Sequence, residues 1–218
     1  MYVYIICKQQ NEIVIMEFGA TQRFKRILLT GPPGIGKTTV CKKIMQLIDN
    51  SNYTCGGFYT EEIRSENRKR IGFDVIPINN INGRVSLARI GSALEGKKPS
   101  KICVGNYQVF VDEFELVALP CLESQTDVMI IDEIGKMELF SKRFHDCVDK
   151  LFWNYFENKP LFIIATIPEN NRIPQRYTKL YEKFYQDGNC KIVDVNVQNR
   201  DKLPEILLNI ITNSIMID

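Results

Sequence analysis

The chain has 218 residues, of which 44% are hydrophobic and 25% are charged, and its formal net charge at pH 7 is +2. This length and composition suffice for the core of one globular domain. The near-neutral charge excludes the broad basic surface of a general nucleic-acid-binding protein, and no run of about 18 apolar residues predicts a membrane helix. We therefore expect neither nucleic acid nor a membrane among its partners.

The N-terminal region, residues 1–25, precedes the first strand of the predicted domain. Two short apolar segments within it, Tyr2 to Cys7 and Glu12 to Phe18, predict either a hairpin joined to the sheet or a leader without fixed structure. The absence of a basic segment before the first of them argues against a signal peptide. The seven cysteines are widely spaced and form no C-x-x-C pair, which indicates reduced thiols and a cytoplasmic location.

A phosphate-binding loop is predicted at residues 31–38, GPPGIGKT, which match the pattern G-x-x-x-x-G-K-[ST]. The loop follows an apolar run, Ile27 to Leu29, and precedes a helical pattern from Thr39 to Ile48. Its glycines allow successive backbone N–H groups to turn inward, and the helix N-terminus adds an anion site. The pattern predicts a site for a nucleoside triphosphate.

Individual roles in this loop follow from side-chain chemistry. Lys37 is expected to reach the β and γ phosphates, Thr38 to offer its hydroxyl to Mg²⁺, and Thr39 to contact the α phosphate. The predicted nucleotide contacts of the loop are Gly31, Pro32, Pro33, Gly34, Ile35, Gly36, Lys37, Thr38 and Thr39.

Antiparallel β structure is predicted next, with strands from Gly57 to Ile63 and from Arg70 to Ile78 joined by the charged turn RSENRKR. That turn is either solvated or supplies an arginine that reaches over the triphosphate. Glu61 and Glu62 occupy adjacent strand positions, so only one of them is expected to face the nucleotide. Short β segments from Val85 to Ile90 and Tyr107 to Val111 follow, and then a helix from Glu113 to Leu122, up to Pro120.

A second motif lies at residues 128–141, VMIIDEIGKMELFS. Its apolar part, Val128 to Ile131, predicts a buried parallel strand, and Asp132 and Glu133 come at the carboxyl end, where ligands collect in open α/β sheets. Asp132 is the expected Mg²⁺ ligand, together with Thr38. Glu133 is the expected catalytic base for the attacking water.

The C-terminal elements continue the alternation of helices and strands. We predict a helix from Ser141 to Asn158, a strand from Leu161 to Thr166, a helix from Gln175 to Tyr185, a strand from Lys191 to Val197 and a final helix from Lys202 to Ile211. Thr166 either senses the γ phosphate or bonds to neighbouring backbone. The fold class is α/β, a mostly parallel sheet flanked by helices with an antiparallel extension, in a single domain over residues 26–218.

A triphosphatase also needs positive charge at the departing phosphoryl group, commonly from an arginine. The candidates are Arg64, Arg70, Arg143 and Arg172. Arg143 is favoured, because it follows the second motif by one helical turn and the helix start could direct it back to the site. The predicted catalytic residues are therefore Lys37, Glu133 and Arg143.

Several segments together resemble one known family, the small P-loop nucleoside-triphosphatases that include the cancer-related enzyme and its bacterial and archaeal relatives. The segments are GPPGIGKTT at 31–39, GFYTEEIR at 57–64, RIGFDV at 70–75, FELVALP at 114–120, IIDEIGKMELFS at 130–141 and ATIP at 165–168. The resemblance implies a RecA-like core and hydrolysis of ATP, GTP, CTP and UTP to the diphosphate and phosphate. It also implies nucleotide contacts at Ile130, Ile131, Asp132, Glu133, Ile134, Gly135 and Lys136.

Other functions of a phosphate loop stay open. A nucleotide or small-molecule kinase is the strongest alternative, although Glu133 beside Asp132 favours water as the acceptor. A regulatory GTPase would match D-x-x-G at 132–135, but the N-K-x-D guanine pattern is missing, with Leu161 in place of its aspartate. A nucleic-acid motor conflicts with the low net charge. The sequence predicts no oligomeric state.

Overall fold

The computed structural model describes residues 3–9, 12–18, 24–94, 96–153 and 160–215, with side chains from residue 24 to residue 213 within these ranges. The strands of the described residues are β1 Val3–Gln9, β2 Glu12–Phe18, β3 Arg26–Thr30, β4 Cys55–Arg64, β5 Arg70–Pro77, β6 Val85–Ile90, β7 Cys103–Val104, β8 Tyr107–Val109, β9 Val128–Ile131, β10 Phe162–Thr166 and β11 Cys190–Asp194. The helices are α1 Lys37–Asp49, α2 Val111–Glu123, α3 Lys142–Trp153, α4 Thr178–Gln186 and α5 Leu203–Ile215.

A nine-stranded sheet organises the chain, in the order β11-β3-β10-β9-β4-β5-β6-β8-β7. The pairings from β11 to β4 are parallel and those from β4 to β7 are antiparallel. In the parallel half, Thr166 is in register with Leu29, and Phe58 with Ile131. The carboxyl ends of β3, β9 and β10 therefore meet at one edge. The predicted fold class, with its antiparallel extension, is confirmed.

Apolar layers cover both faces of the parallel half. Alternate residues of β3 point to opposite faces, so Leu28 joins a layer with α2, α3 and α4, whereas Ile27 and Leu29 join a layer with α1 and α5. In the first layer, the aromatic rings of Phe58, Phe114 and Phe144 pack against one another, with centroids 5.0 to 5.9 Å apart. Burial on both faces explains why these strands are continuous apolar runs.

The N-terminal strands pair with each other and form a separate two-stranded antiparallel sheet, in which Val3 is in register with Phe18. The sequence left open a hairpin joined to the sheet or a leader without fixed structure. The strands do pair as a hairpin, but they add no strand to the nine-stranded sheet. The two residues between β1 and β2 lie outside the described ranges. The division into an N-terminal extension, residues 1–25, and a single domain, residues 26–218, stays a prediction.

Several predicted boundaries were wrong. Strand β8 ends at Val109, and Val111, predicted as β structure, is the first residue of α2. Helix α2 does not stop at Pro120 but continues to Glu123, because Leu119 and Leu122 beyond the middle of the helix pack into the core. The helix predicted from Gln175 opens with a 3₁₀ turn and becomes α-helical at Thr178. Strand β11 ends at Asp194, since the following residues form a turn. The last residues predicted for α3, 154–158, lie outside the described ranges.

Candidate functional site

The phosphate-binding loop connects β3 to α1 as predicted. Gly31 has φ 135°, and a Cβ there would lie 2.7 Å from the carbonyl oxygen of Val195, so a larger residue would clash with the turn after β11. Gly36 has φ 111° and immediately precedes the first helical residue, Lys37. Backbone conformations of this kind favour glycine and direct amide groups to one side of the loop.

Lys37 lies folded against this loop. Its Nζ donates a hydrogen bond to the carbonyl oxygen of Gly31 at 2.8 Å and a longer one to Pro32 at 3.4 Å. Burial raises the pKa of both carboxylates at the end of β9, Asp132 and Glu133, and the positive charge of the ammonium group opposes this rise. The loop and the second motif, about 95 residues apart in the chain, thus form one electrostatic site.

Asp132 is the buried acid of the site, with 1% of its surface exposed. Thr166 at the end of β10 donates a hydrogen bond to its Oδ1 at 2.7 Å, and the backbone N–H of Thr60 approaches its Oδ2 at 3.4 Å. Burial raises the pKa of Asp132, while hydrogen bonds from Thr166 and Thr38 lower it. Thr166 therefore bonds to Asp132 and not to neighbouring backbone, which neither sequence interpretation had anticipated.

Glu133 lies beside Asp132 and is partly exposed to a cavity. Burial raises its pKa to about 6, the charge of Lys37 opposes this rise, and the charge of Asp132 adds to it. A carboxylate with a pKa near 6 is ionised at neutral pH but is a stronger base than an ordinary glutamate.

A third carboxylate, Glu138, was missed by the sequence analysis. Only 5% of its surface is exposed. A Cβ at Gly135 would lie 2.8 Å from Oε2 of Glu138 and 3.3 Å from Cδ of Glu133, so both side chains pack against this glycine. Burial and the charge of Glu133 raise its pKa to about 8, although backbone N–H groups at Gly135 and Glu138 lower it. The available signal was a glutamate between two apolar residues, Met137 and Leu139, in a segment that otherwise reads as core.

The cavity in front of these groups has a volume of about 420 Å³. It is lined by the loop and α1, by β4 and β5, and by Glu133. The lining residues are Pro33, Gly34, Gly36, Lys37, Thr38, Thr39, Lys42, Thr60, Glu61, Glu62, Arg70, Phe73 and Glu133. Both Glu61 and Glu62 border it, contrary to the expectation that only one would face the nucleotide.

Of the four candidate arginines, Arg70 alone lines this cavity. Its Nε donates to Glu62 at 2.5 Å, and its guanidinium lies 5.4 Å from the ring centre of Phe73. Arg64 also pairs with Glu62 but does not line the cavity. The guanidinium of Arg70 is therefore held at the mouth of the site by the carboxylate of Glu62 and the ring of Phe73.

Arg143, the arginine that the sequence analysis favoured for the site, lies elsewhere in the structure. Its side chain is 73% exposed and pairs with Glu115 of α2 at 3.1 Å, outside the cavity. The capping hydroxyl of Ser141 accepts from the N–H of Phe144 and itself bonds to Glu115, so the start of α3 turns towards α2 and not towards the loop. Arg172 pairs with Glu169 in a separate exposed turn.

Most of the segment 130–136 lies away from the cavity. Ile130 and Ile131 are core residues on opposite faces of the sheet, and Ile134 is completely buried. Gly135 packs against Glu138, and Lys136 is an exposed residue of the following turn. The nucleotide contacts expected at these five positions are therefore not supported by the geometry, because a strand buried on both faces exposes only the groups at its end.

The glycine-rich loop lies between a strand and a helix, and the buried aspartate ends a second strand that is separated from the first by one strand of the sheet. This arrangement defines the P-loop nucleoside triphosphate-binding proteins. The chain belongs to the NTPase family, whose model matches residues 26–208. It is accordingly an enzyme that hydrolyses nucleoside triphosphates. No helix in the described part of the chain is long and apolar enough to cross a membrane.

Individual relatives agree with this assignment. The chain is 38% identical to the cancer-related nucleoside-triphosphatase homolog of Mus musculus over 84% of this chain and 95% of that one. It is 35% identical to the nucleoside-triphosphatase THEP1 of Thermotoga maritima over 85% and 95%. The solution structure of a human cancer-related nucleoside triphosphatase superimposes with a TM-score of 0.68 at 33% identity, covering 87% of this chain and 98% of that one.

Proposed function

We propose that the enzyme cleaves the bond between the β and γ phosphates of nucleoside triphosphates in a Mg²⁺-dependent reaction, with little discrimination among bases. One observation carries the residue assignments. Lys37 and Glu133, from separate segments of the chain, line the same cavity, and the buried Asp132 lies directly behind it. The arrangement supplies a phosphate cradle, a metal ligand and a base for water in one place.

The residues present fit Mg²⁺. Asp132 is buried and forms no ion pair among residues 24–94, 96–153 and 160–213, and a buried carboxylate of this kind favours a cation. Thr38 and Asp132 would hold the ion, since Mg²⁺ prefers oxygen ligands and takes few of them from protein when phosphate supplies others. When bound, Mg²⁺ neutralises negative charge on the phosphate oxygens. Thr166 fixes the orientation of Asp132 through its 2.7 Å hydrogen bond.

The triphosphate lies along the loop, with its γ end towards Glu133 and its α end towards Thr39. Backbone N–H groups of the loop and the N-terminus of α1 bind the phosphate oxygens. The ammonium group of Lys37 exchanges its bonds to the Gly31 and Pro32 carbonyls for bonds to phosphate. Its four-carbon side chain allows this change without movement of the backbone.

Glu133 accepts the proton of the attacking water. Its pKa of about 6 leaves it ionised at pH 7 while bringing its basicity close to the working pH, which is the useful range for a general base. Arg70 replaces Arg143 as the arginine that stabilises charge on the departing phosphoryl group, because it is the candidate that lines the cavity. Glu62 keeps the guanidinium in position.

Base tolerance is supported by the missing N-K-x-D pattern and by the cavity lining. The two carboxylates that line the cavity beside Glu133 are not free to bind guanine, since Glu61 is engaged by Lys42 at 2.7 Å and by Arg84, and Glu62 by Arg70. We propose further that the enzyme works in a reducing, cytoplasmic compartment without nucleic acid as a partner. The cysteines within residues 24–213 whose side chains are described are free thiols.

The decisive experiment is Glu133→Gln. This change keeps the shape of the side chain but removes its basicity, so kcat for ATP should fall about 10²- to 10⁴-fold while Mg²⁺-ATP affinity stays close to wild type. Rates are measured as phosphate release from ATP, GTP, CTP and UTP, with Mg²⁺ and with chelator. Glu61→Gln is the matched control, because it removes the same charge from the same cavity at a carboxylate already paired with two cations.

Three outcomes would contradict the proposal. Unchanged hydrolysis in Glu133→Gln would make this residue structural, and equal losses of affinity and rate would make it a ligand of the ion or nucleotide. Full activity in the presence of chelator would exclude the metal. A preference for GTP of more than about a hundredfold, or 2.7 kcal/mol, would exclude base tolerance.

A further inference from the structure

A second cavity of about 310 Å³ adjoins the phosphate site. The two cavities share three residues of the loop and helix start, Gly34, Gly36 and Thr39. The remaining lining of the second cavity consists of Val40, Lys43, Arg200 and Asp201. It contains none of the acidic groups that surround the γ-phosphate end of the site.

The sheet order places this second cavity at the α-phosphate end. Thr60 of β4 contacts Asp132, so β4 and its hairpin lie on the γ side of the loop. Arg200 follows β11, which pairs with β3 on the opposite side. A linear triphosphate whose γ end faces Glu133 must therefore direct its nucleoside across Thr39 into the second cavity.

The turn after β11 holds Arg200 in a defined position. The Asn196 side chain accepts hydrogen bonds from the backbone N–H of Gln198 at 2.9 Å and of Asn199 at 3.0 Å. The buried Asn199 returns a bond by accepting from the N–H of Asn196 at 3.0 Å, and it donates to the carbonyl oxygen of Asp194 at 2.7 Å. These bonds fix the backbone from the end of the strand to Arg200.

Arg200 itself is half-buried against the phosphate loop. Its Nη1 donates to the carbonyl oxygen of Ile35 at 3.1 Å, and its Cδ lies 3.7 Å from the position that a Cβ at Gly36 would occupy. One guanidinium edge is thereby anchored. Arg200 lines the cavity together with Lys43 and Asp201, which form a loose ion pair at 3.7 Å.

We infer that this cavity binds the nucleobase and ribose of the substrate, with the base stacked on the guanidinium face of Arg200. The inference rests on the proposed function, since it takes the orientation of the triphosphate from it. Stacking on a guanidinium accepts any base, because every base has a π face. The cavity thus gives a physical reason for broad base tolerance: it contributes affinity without a hydrogen-bond code.

Phe73 is an aromatic residue that lines the phosphate cavity, and its ring already has stacking partners. Phe73 packs against Tyr107 with ring centres 5.5 Å apart and against the guanidinium of Arg70 at 5.4 Å. A base stacked there would have to lie at the γ end of the site, beside Glu61 and Glu62. Arg200 is therefore the better platform.

The test separates base binding from phosphate binding in Arg200→Ala. KM for ATP, GTP, CTP and UTP should each rise about 5- to 30-fold, the range for loss of one stacking contact, with little change in kcat. Inorganic tripolyphosphate, used as a competitive inhibitor of ATP hydrolysis, should keep its wild-type inhibition constant, because it has no base. Arg200→Lys should resemble Arg200→Ala, since lysine keeps the charge but lacks the plane. Lys202→Ala, two residues away and exposed, is the charge-matched control.

Each other result overturns the inference. An equal loss of tripolyphosphate binding would show that Arg200 acts on the phosphates or on the loop. Wild-type KM values in Arg200→Lys would show that charge alone matters, and a loss confined to one base would indicate a hydrogen-bond reader. Unchanged KM values in Arg200→Ala would place the base elsewhere. Absence of phosphate release by the wild-type enzyme would instead refute the proposed function, so the two failures are distinguishable.

Discussion

The parallel and antiparallel halves of the sheet differ in where their buried charged residues lie. In the parallel half, the buried residues of β3, β9 and β10 carry no charge, and the acidic group Asp132 comes only after β9 has ended. In the antiparallel half, charged side chains lie within the strands themselves. Asp74 of β5 and Arg89 of β6 are 6% and 8% exposed and form an ion pair at 2.5 Å.

The difference follows from what covers each half. Helices lie on both faces of the parallel half, so an ionised group in the middle of a strand would be desolvated without a partner. The antiparallel half is covered by α2 on one face, and its other face carries the charged groups. The first half therefore holds the proposed catalytic group Glu133 at its edge, whereas the second brings longer charged side chains such as Arg70 to the mouth of the cavity.

Gly72 makes the charged arrangement possible. A Cβ at this position would lie 2.6 Å from Cδ and 2.9 Å from Nη1 of Arg89, so the arginine crosses the strand where a side chain is missing. Its guanidinium then donates to Asp74 and to the carbonyl oxygen of Phe73 at 2.9 Å. Arg84 approaches the other oxygen of Asp74 at 2.9 Å.

The largest expected effect tests whether the antiparallel half contributes to catalysis. Arg70→Ala should lower kcat by about 10³-fold or more, the range for an arginine that stabilises the departing phosphoryl group. Arg143→Ala, exposed and outside the cavity, should stay near wild type. Single-turnover phosphate release at saturating ATP measures both. A loss smaller than about tenfold in Arg70→Ala would assign this charge to another molecule or to no arginine.

A second prediction concerns the stability of the antiparallel half. Asp74→Ala leaves Arg89 buried without its partner and should lower the free energy of unfolding by about 3 to 5 kcal/mol, measured by denaturant titration. Replacing both residues by leucine removes both charges and should recover most of that loss. If the single variant is as stable as the wild type, water already solvates Arg89 and the ion pair contributes little.

The phosphate loop at the edge of the parallel half should respond in rate rather than in stability. Lys37→Ala removes the charge that we propose to contact phosphate, and we expect kcat/KM to fall about 10²- to 10³-fold. The thermal midpoint should change little, because the ammonium bonds only to loop carbonyls. Wild-type turnover in this variant would remove the loop lysine from the mechanism, and a large drop in the midpoint would mean that the lysine holds the loop together.

The smallest expected effect is a pH dependence of stability from Glu138. Its pKa of about 8 lies above the ordinary 4.5, so between these values the folded state retains a proton that the unfolded state has lost. Stability from this group is therefore present at low pH and lost as pH rises towards 8. Glu138→Gln cannot ionise, so its melting temperature relative to wild type should increase between about pH 5 and pH 8.5. A difference that stays constant with pH would contradict this.

Several features were predictable because their cause is local. Gly31 to Thr38 and Val128 to Glu133 are contiguous segments, and the geometry of a strand followed by a loop or a helix places their groups within a few residues. The family resemblance extended these local patterns to an activity, and the family assignment confirmed it.

The amino-acid sequence by itself thus determined the fold class, the phosphate loop and the acidic strand end. Only the tertiary structure decided which long side chains reach the cavity: Arg70 and not Arg143, with Arg200 on the opposite side. It also decided that Glu138 is buried. The physical reason is that a backbone loop is set by the torsion angles of its own residues, whereas the reach and burial of a distant side chain depend on how strands and helices far apart in the chain pack together.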